Sequence, residues 1–200
     1  MSSLRHTAQP GADPRLDGYL DAARACILDV GWRRTTLTEV ARRAGVSRMT
    51  IYRAWPDMGS LLGDLMTREW VGIAAATQVA AADTTTPDGI AAAALATVRA
   101  LRDNELFVRI VELDPDLMLP YLLHRRGRSQ EALVEILAAE IASGQASGAI
   151  RTGDPVLMAR SLTLAGHGFV FSAMTMTDDR IRLDDLDAEY ARGVARALER

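Results

Sequence analysis

The chain has 200 residues, 48% hydrophobic and 24% charged, a composition that suits a globular protein able to bury a core. Aromatic residues make up only 5% while alanine, leucine and arginine abound, which favours helices over sheets. The single cysteine, Cys26, excludes an internal disulfide and a cysteine-based zinc cluster, and it reads as a small buried apolar residue. No signal peptide and no apolar run of membrane-spanning length is read, so a soluble cytoplasmic protein without membrane partners is expected. The net charge of −3 divides unevenly. Residues 1–68 hold ten arginines against seven acids, and residues 69–200 hold thirteen against nineteen. A basic amino-terminal part on an acidic body suggests an anionic partner met at one end.

In chain order, residues 1–13 lack apolar periodicity and contain Pro10 and Gly11, so they read as a flexible arm. Leu16, Leu20, Ala23, Ile27 and Val30 then recur at helical spacing until Gly31 ends the run. Thr36 or Thr38 caps a short second helix reaching Ala44, Gly45 supplies a turn, and Ser47 caps a third helix over 48–53 that Pro56 stops. A long helix follows Gly59 through Thr77, and Thr86 with Pro87 opens the next, over 88–102. Further helical patterns cover 104–113, Asp114-Pro115 is another start signal, and a run interrupted by Pro120 and a long amphipathic stretch to Gly144 and Gly148 follow. Asp154-Pro155 opens a helix to about Met176, and Asp184 or Asp185 opens the last. No useful strand alternation and no internal repeat is visible. The expected fold is all-α: a three-helix head over 14–58, joined to a larger helical bundle over 59–200.

Within the head, Leu37, Val40, Ala41, Ala44, Val46 and Ile51 are spaced so that two short helices share a core across a tight turn. That is the pattern of a helix-turn-helix, whose second helix lies in a major groove while the first crosses the backbone. With Val46 and Ile51 inward, the outward set falls among Arg48, Met49, Thr50, Tyr52 and Arg53. The residues Thr35-Thr36, Val40-Ala41, Ala44-Gly45-Val46-Ser47, Thr50-Ile51-Tyr52, Trp55 and Leu61-Leu62 stand in one register that resembles the TetR family of transcriptional regulators.

The resemblance implies that Thr36, Ser47 and Tyr52 meet phosphates. It also implies that Arg48, Met49, Thr50 and Arg53 face base edges of double-stranded DNA. Arg48 suits guanine, and the methyls of Met49 and Thr50 suit thymine. The family usually carries a lysine three residues after the aromatic; Met58 stands there, which would remove one phosphate contact. Arg42 and Arg43 read as a solvated helix face, and Trp55 as a core anchor. Arg33 and Arg34 read either as a backbone clamp or as plain surface.

One such head reads few base pairs, whereas specific complexes bury about 1,000–2,500 Å² of protein surface. Pairing two heads in a homodimer would double the contacts on a palindromic operator. Leu162, Gly166, Phe169, Val170 and Ala173 form one apolar stripe, and Leu183, Leu186, Tyr190, Val194 and Ala197 another. They serve either an intersubunit four-helix bundle or the core of one subunit. The resemblance also implies a cavity for a small apolar or amphipathic effector. Trp70, Phe107, Met118, Tyr121, Met158 and Phe171 are candidates to line it, or else plain core. His124 reads as surface, and His167 as hydrogen-bonded at the subunit seam. No cofactor, no metal site and no enzyme motif is read: the sequence has no phosphate loop, nucleophile elbow or helical metal-ligand pair. A ligand-binding protein of the same fold with lost DNA affinity is the alternative, raised by Met58.

Overall fold

The computed structural model describes residues 14–81 and 83–200; the expected arm at 1–13 lies outside the described residues. The all-α expectation holds. The described residues form ten α-helices: α1 (Pro14–Val30), α2 (Leu37–Arg43), α3 (Arg48–Ala54), α4 (Met58–Ala80), α5 (Pro87–Arg102), α6 (Glu105–Leu113), α7 (Leu119–Leu123), α8 (Arg128–Ser147), α9 (Pro155–Ser172) and α10 (Leu183–Leu198).

The starts follow from local chemistry. Of the two candidate threonines, Thr36 caps α2, its hydroxyl oxygen accepting the Glu39 N–H at 3.2 Å. Ser47 caps α3 in the same way through Thr50 N–H, and Thr86 and Asp154 cap α5 and α9, each with proline at the first helical position. Pro120 falls in the first turn of α7, where a missing N–H costs nothing. Helix α10 opens at Leu183, slightly before the expected acids, because the Asp185 carboxylate accepts the Arg182 N–H at 2.9 Å. Gly45 adopts φ +68°, the left-handed conformation that the turn between α2 and α3 requires.

The chain divides into two compact units. The first comprises residues up to Glu69 together with Val108–Arg125, and the second comprises Trp70–Phe107 and Arg126–Arg200. The head is therefore larger than 14–58. Arg68 pairs with Asp21 at 2.9 Å and donates to the Asp17 carbonyl, fastening residues 58–69 of α4 to α1. Segment 108–125 joins the same unit through Asp114. In the first unit α2 packs on α1 and α3. Ile27, Val40, Ile51, Leu61 and Leu65 are fully buried there, although the stripe ends Leu16 and Val30 stay partly exposed.

In the second unit α5 packs against α9 and α10, and α8 against α9. Their shared core includes Ile90, Val98, Val134, Ile141, Met158, Leu162, Tyr190, Val194 and Leu198. Asp187 of α10 is buried among these elements and takes hydrogen bonds from Arg99 Nε at 2.7 Å and from both terminal nitrogens of Arg102 at 3.1 and 2.9 Å. Residues 155–176 do form a helix long and apolar enough to cross a membrane, contrary to the sequence expectation. In this fold, however, Met158, Ala159, Leu162 and Gly166 of α9 are buried in the core.

Candidate nucleic-acid interface

The seven residues of α3 divide cleanly. Ile51 is fully buried between α3 and the head core, whereas Arg48, Met49, Tyr52 and Arg53 are exposed and Thr50 is half-buried. Met49 is 67% exposed, which is costly for an unbranched apolar side chain unless it meets an apolar surface elsewhere. Thr36 and Ser47, at the starts of α2 and α3, are exposed as well. All seven expected DNA-contacting residues therefore lie on the surface of the head.

Hydrogen bonding refines what these hydroxyls can do. The Thr36 oxygen accepts a backbone N–H, so its own proton is free to donate outward. Ser47 Oγ accepts Thr50 N–H and lies 2.9 Å from Thr50 Oγ1, where either hydroxyl can donate. If Thr50 donates to Ser47, the Ser47 proton faces solvent and Thr50 presents only its methyl outward. Trp55 is core: it is buried, its ring lies edge-on to Tyr19 at 6.4 Å, and its Nε1–H donates to Asp64 at 2.7 Å.

The arginines sort by partner. Arg42 makes two hydrogen bonds to Glu39 of the same helix face, at 2.9 and 2.6 Å, which hold the Glu39 carboxyl below its usual range. Arg43 pairs with Asp29 at 2.5 Å. Arg33 is held by Asp114 at 3.0 Å and Asp116 at 2.8 Å, an intramolecular tie that is neither the backbone clamp nor the plain surface expected at this position. Among the described residues no carboxylate lies against Arg34, Arg48 or Arg53. The sequence missed Asp114, reading it only as a helix start.

Of the expected effector-lining residues, Trp70, Phe107 and Phe171 come together, with ring centroids 6.0 Å apart for the first pair and 5.2 Å for the second. His167 follows at 6.4 Å from Phe171. Burial pushes the His167 pKa down and keeps the ring neutral. Gln130 accepts Gly127 N–H through its amide oxygen, so its Nε2 donates to His167 Nε2 at 3.4 Å and the ring proton sits on Nδ1. The buried Trp70 Nε1 has no hydrogen-bond partner. Met158 belongs instead to the core cluster, and Met118 and Tyr121 fold with the head unit, where Arg125 lies 5.0 Å over the Tyr121 ring.

The expected dimer stripes divide between core and surface. Leu162, Gly166, Ala173, Tyr190 and Val194 are buried within the subunit, as the core reading of these stripes has it. Gly166 lacks a Cβ because the Tyr190 hydroxyl would sit 3.1 Å from it, and burial pushes the Tyr190 pKa up to about 12. Phe169 and Val170 are partly buried against the same core, and Leu186 is half-buried. The opposite side of α9 carries the exposed apolar residues Leu157 (66%) and Leu164 (72%) beside exposed Ser161, Ala165 and Gly168.

Residues 20–65 match the family model for bacterial regulatory proteins of the tetR family. An uncharacterized HTH-type transcriptional regulator of Mycobacterium bovis is 36% identical over 154 residues, 77% of this chain and 79% of its own length. The fold is similar to that of the R. erythropolis transcriptional repressor QsdR, with a TM-score of 0.71 at 16% identity over 94% of this chain and 95% of that one. It is also similar to SmeT, the repressor of a Stenotrophomonas maltophilia multidrug efflux pump, in its complex with triclosan: TM-score 0.58 at 20% identity, over 94% and 93% of the two chains. The exposed face of α3, the shared sequence and the shared fold converge: the chain belongs to the TetR family of bacterial transcriptional regulators, DNA-binding proteins of the helix-turn-helix type.

Proposed function

We propose that this regulator is a cytoplasmic homodimeric repressor that reads a palindromic operator with α3 of each head and lets go when a small apolar or amphipathic molecule binds. The observation that carries the reading is the face of α3: Arg48, Met49, Tyr52 and Arg53 are exposed around a fully buried Ile51. Arg48 is placed early in the helix, where side chains of a recognition helix reach base edges. Thr36, Ser47 and Tyr52 supply phosphate contacts through hydroxyl groups. The exposed apolar face of α9 around Leu157 and Leu164 is the surface on which two subunits meet, joined at its edge by Phe169, Val170 and Leu186.

The effector site is the aromatic group of Trp70, Phe107 and Phe171 with neutral His167 beside it. The buried, unpartnered indole N–H of Trp70 gives a ligand one donor to satisfy. SmeT, a repressor of similar fold, is known in complex with the small molecule triclosan. Release requires that the effector prefer the non-binding arrangement of the two heads, since equal affinity for both shifts nothing.

Incubating the purified protein with genomic fragments and sequencing those retained tests the DNA reading. The expected product is a short inverted repeat that competes against nonspecific DNA. Retention without sequence enrichment would refute the reading and favour a ligand-binding protein of this fold, the reading that Met58 supports.

A further inference from the structure

We propose that Asp114 is a positioning residue for sequence-specific DNA reading, fixing from outside the head helices the turn on which the α2–α3 pair is mounted. Asp114 lies 82 residues from Trp32 in the chain, and it is only 2% exposed. One carboxylate oxygen accepts the Trp32 backbone N–H at 3.0 Å, and the other forms an ion pair with Arg33 Nε at 3.0 Å. A buried carboxylate is tolerated when it is fully paired in this way. Its own position is fixed by its backbone: the Asp114 N–H donates to the Ile110 carbonyl at 2.8 Å and its carbonyl accepts Leu117 N–H at 3.0 Å.

The turn held by this carboxylate is otherwise closed on itself. Gly31 N–H donates to the Ile27 carbonyl of α1, the Gly31 carbonyl accepts the buried Thr35 hydroxyl at 2.8 Å, and Thr35 N–H returns to the Trp32 carbonyl. Thr36 then caps α2. A continuous chain of hydrogen bonds therefore runs from the end of α1 to the start of α2, and the Asp114 carboxylate bonds into its middle. Freed of that carboxylate, the Trp32 N–H needs another partner and the turn gains conformations that tilt α2 and α3.

Nonspecific attraction to phosphates tolerates such tilting, because it depends on charge and not on register. Base reading does not, because each contact requires a set groove geometry. Asp114 touches no DNA in this account; it acts through the turn.

The inference rests on the operator binding proposed above. Full-length protein, the DNA selected by it and a scrambled duplex of equal length are the reagents. For Asp114→Ala, the melting temperature is measured first, and dissociation constants for both duplexes are then measured well below it. The expected result is about a tenfold loss on the selected site with less than about a threefold change on the scrambled one. Asp114→Asn keeps an amide oxygen for Trp32 N–H but turns an NH2 toward Arg33, so an intermediate loss of the same ratio is expected. Should the alanine variant fail to fold, the asparagine variant is read by the same ratio. A specificity ratio that stays at the wild-type value, through equal loss on both duplexes or no loss on either, overturns the proposal while leaving the DNA-binding reading intact. A wild-type protein that shows no preference between the duplexes overturns that reading itself.

Discussion

Asp187→Ala tests how α10 is held to the rest of its unit. The Asp187 side chain is 1% exposed and receives hydrogen bonds from Arg99 and from both terminal nitrogens of Arg102, whose side chain is 12% exposed. Removing the carboxylate leaves Arg102 charged and buried beside an apolar core, and breaking a buried pair this way costs about 3–5 kcal/mol. Arg99, with 45% of its side chain exposed, rehydrates, so the lower end of the range, about 3 kcal/mol, is expected. For a chain of this size that lowers the melting temperature by about 6–12 °C. Burial raises the Asp187 pKa, but the hydrogen bonds and charges of Arg102 and Arg99 outweigh it, leaving the group below its ordinary value. A carboxylate with a depressed folded pKa stabilises above its unfolded pKa and loses that contribution as pH falls through the folded one. The gap between wild type and variant, followed by urea unfolding with circular dichroism, therefore stays constant from pH 7 to about 5 and closes below about 4. A variant within about 1 kcal/mol of wild type at pH 7, or a gap indifferent to acid, would show that the pair does not hold α10.

Arg48→Ala should weaken operator binding by about 1–3 kcal/mol and relax preference at one base pair per half-site, seen by repeating the DNA selection with the variant. Met58→Lys restores the residue usual in the family; operator affinity should rise, and the plot of log K against log salt should steepen by about 0.9 per added contact. Leu164→Arg puts a charge on the exposed face of α9, and sedimentation should show a monomer that keeps its helical circular dichroism spectrum. Ser47→Ala removes the cap of α3 and should cost about 1 kcal/mol in chemical unfolding.

Much of this was legible because it is local. Thr36, Ser47, Thr86 and Asp154 announce helix starts by a side-chain oxygen placed before an apolar period, and the structure uses each of them as a cap. The outward set on α3 followed from one buried position, Ile51, on a helix of seven residues. The bundle was harder. An apolar stripe says that a face is covered but not by what, and α9 has two such faces: Met158 and Leu162 turn into the subunit while Leu157 and Leu164 turn out. On α10 the buried side runs through Asp187, Tyr190, Val194 and Leu198, while Ala197 is exposed. A carboxylate at the centre of a buried face breaks the apolar period that would have identified it. Asp114 was invisible for a related reason. Its partner Trp32 lies 82 residues away, and an acid before a proline looks like a helix start from sequence alone.

The charge division of the sequence now has a sharper physical form. Residues 14–69 do not present a diffuse basic surface, because most of the described arginines there are committed: Arg42 to Glu39, Arg43 to Asp29, Arg68 to Asp21, Arg24 to Glu69, and Arg33 to Asp114 and Asp116. A pair of opposite charges in contact contributes little potential beyond a Debye length, about 8 Å in physiological salt. Among the described arginines of residues 14–69, Arg34, Arg48 and Arg53 have no carboxylate against them, and two of these three are on α3. If α3 reads base edges as proposed, free charge concentrated there and neutralised on its neighbours would lower nonspecific affinity while keeping the base contacts. That arrangement raises the ratio of specific to nonspecific binding, the quantity on which selection of one site among many depends.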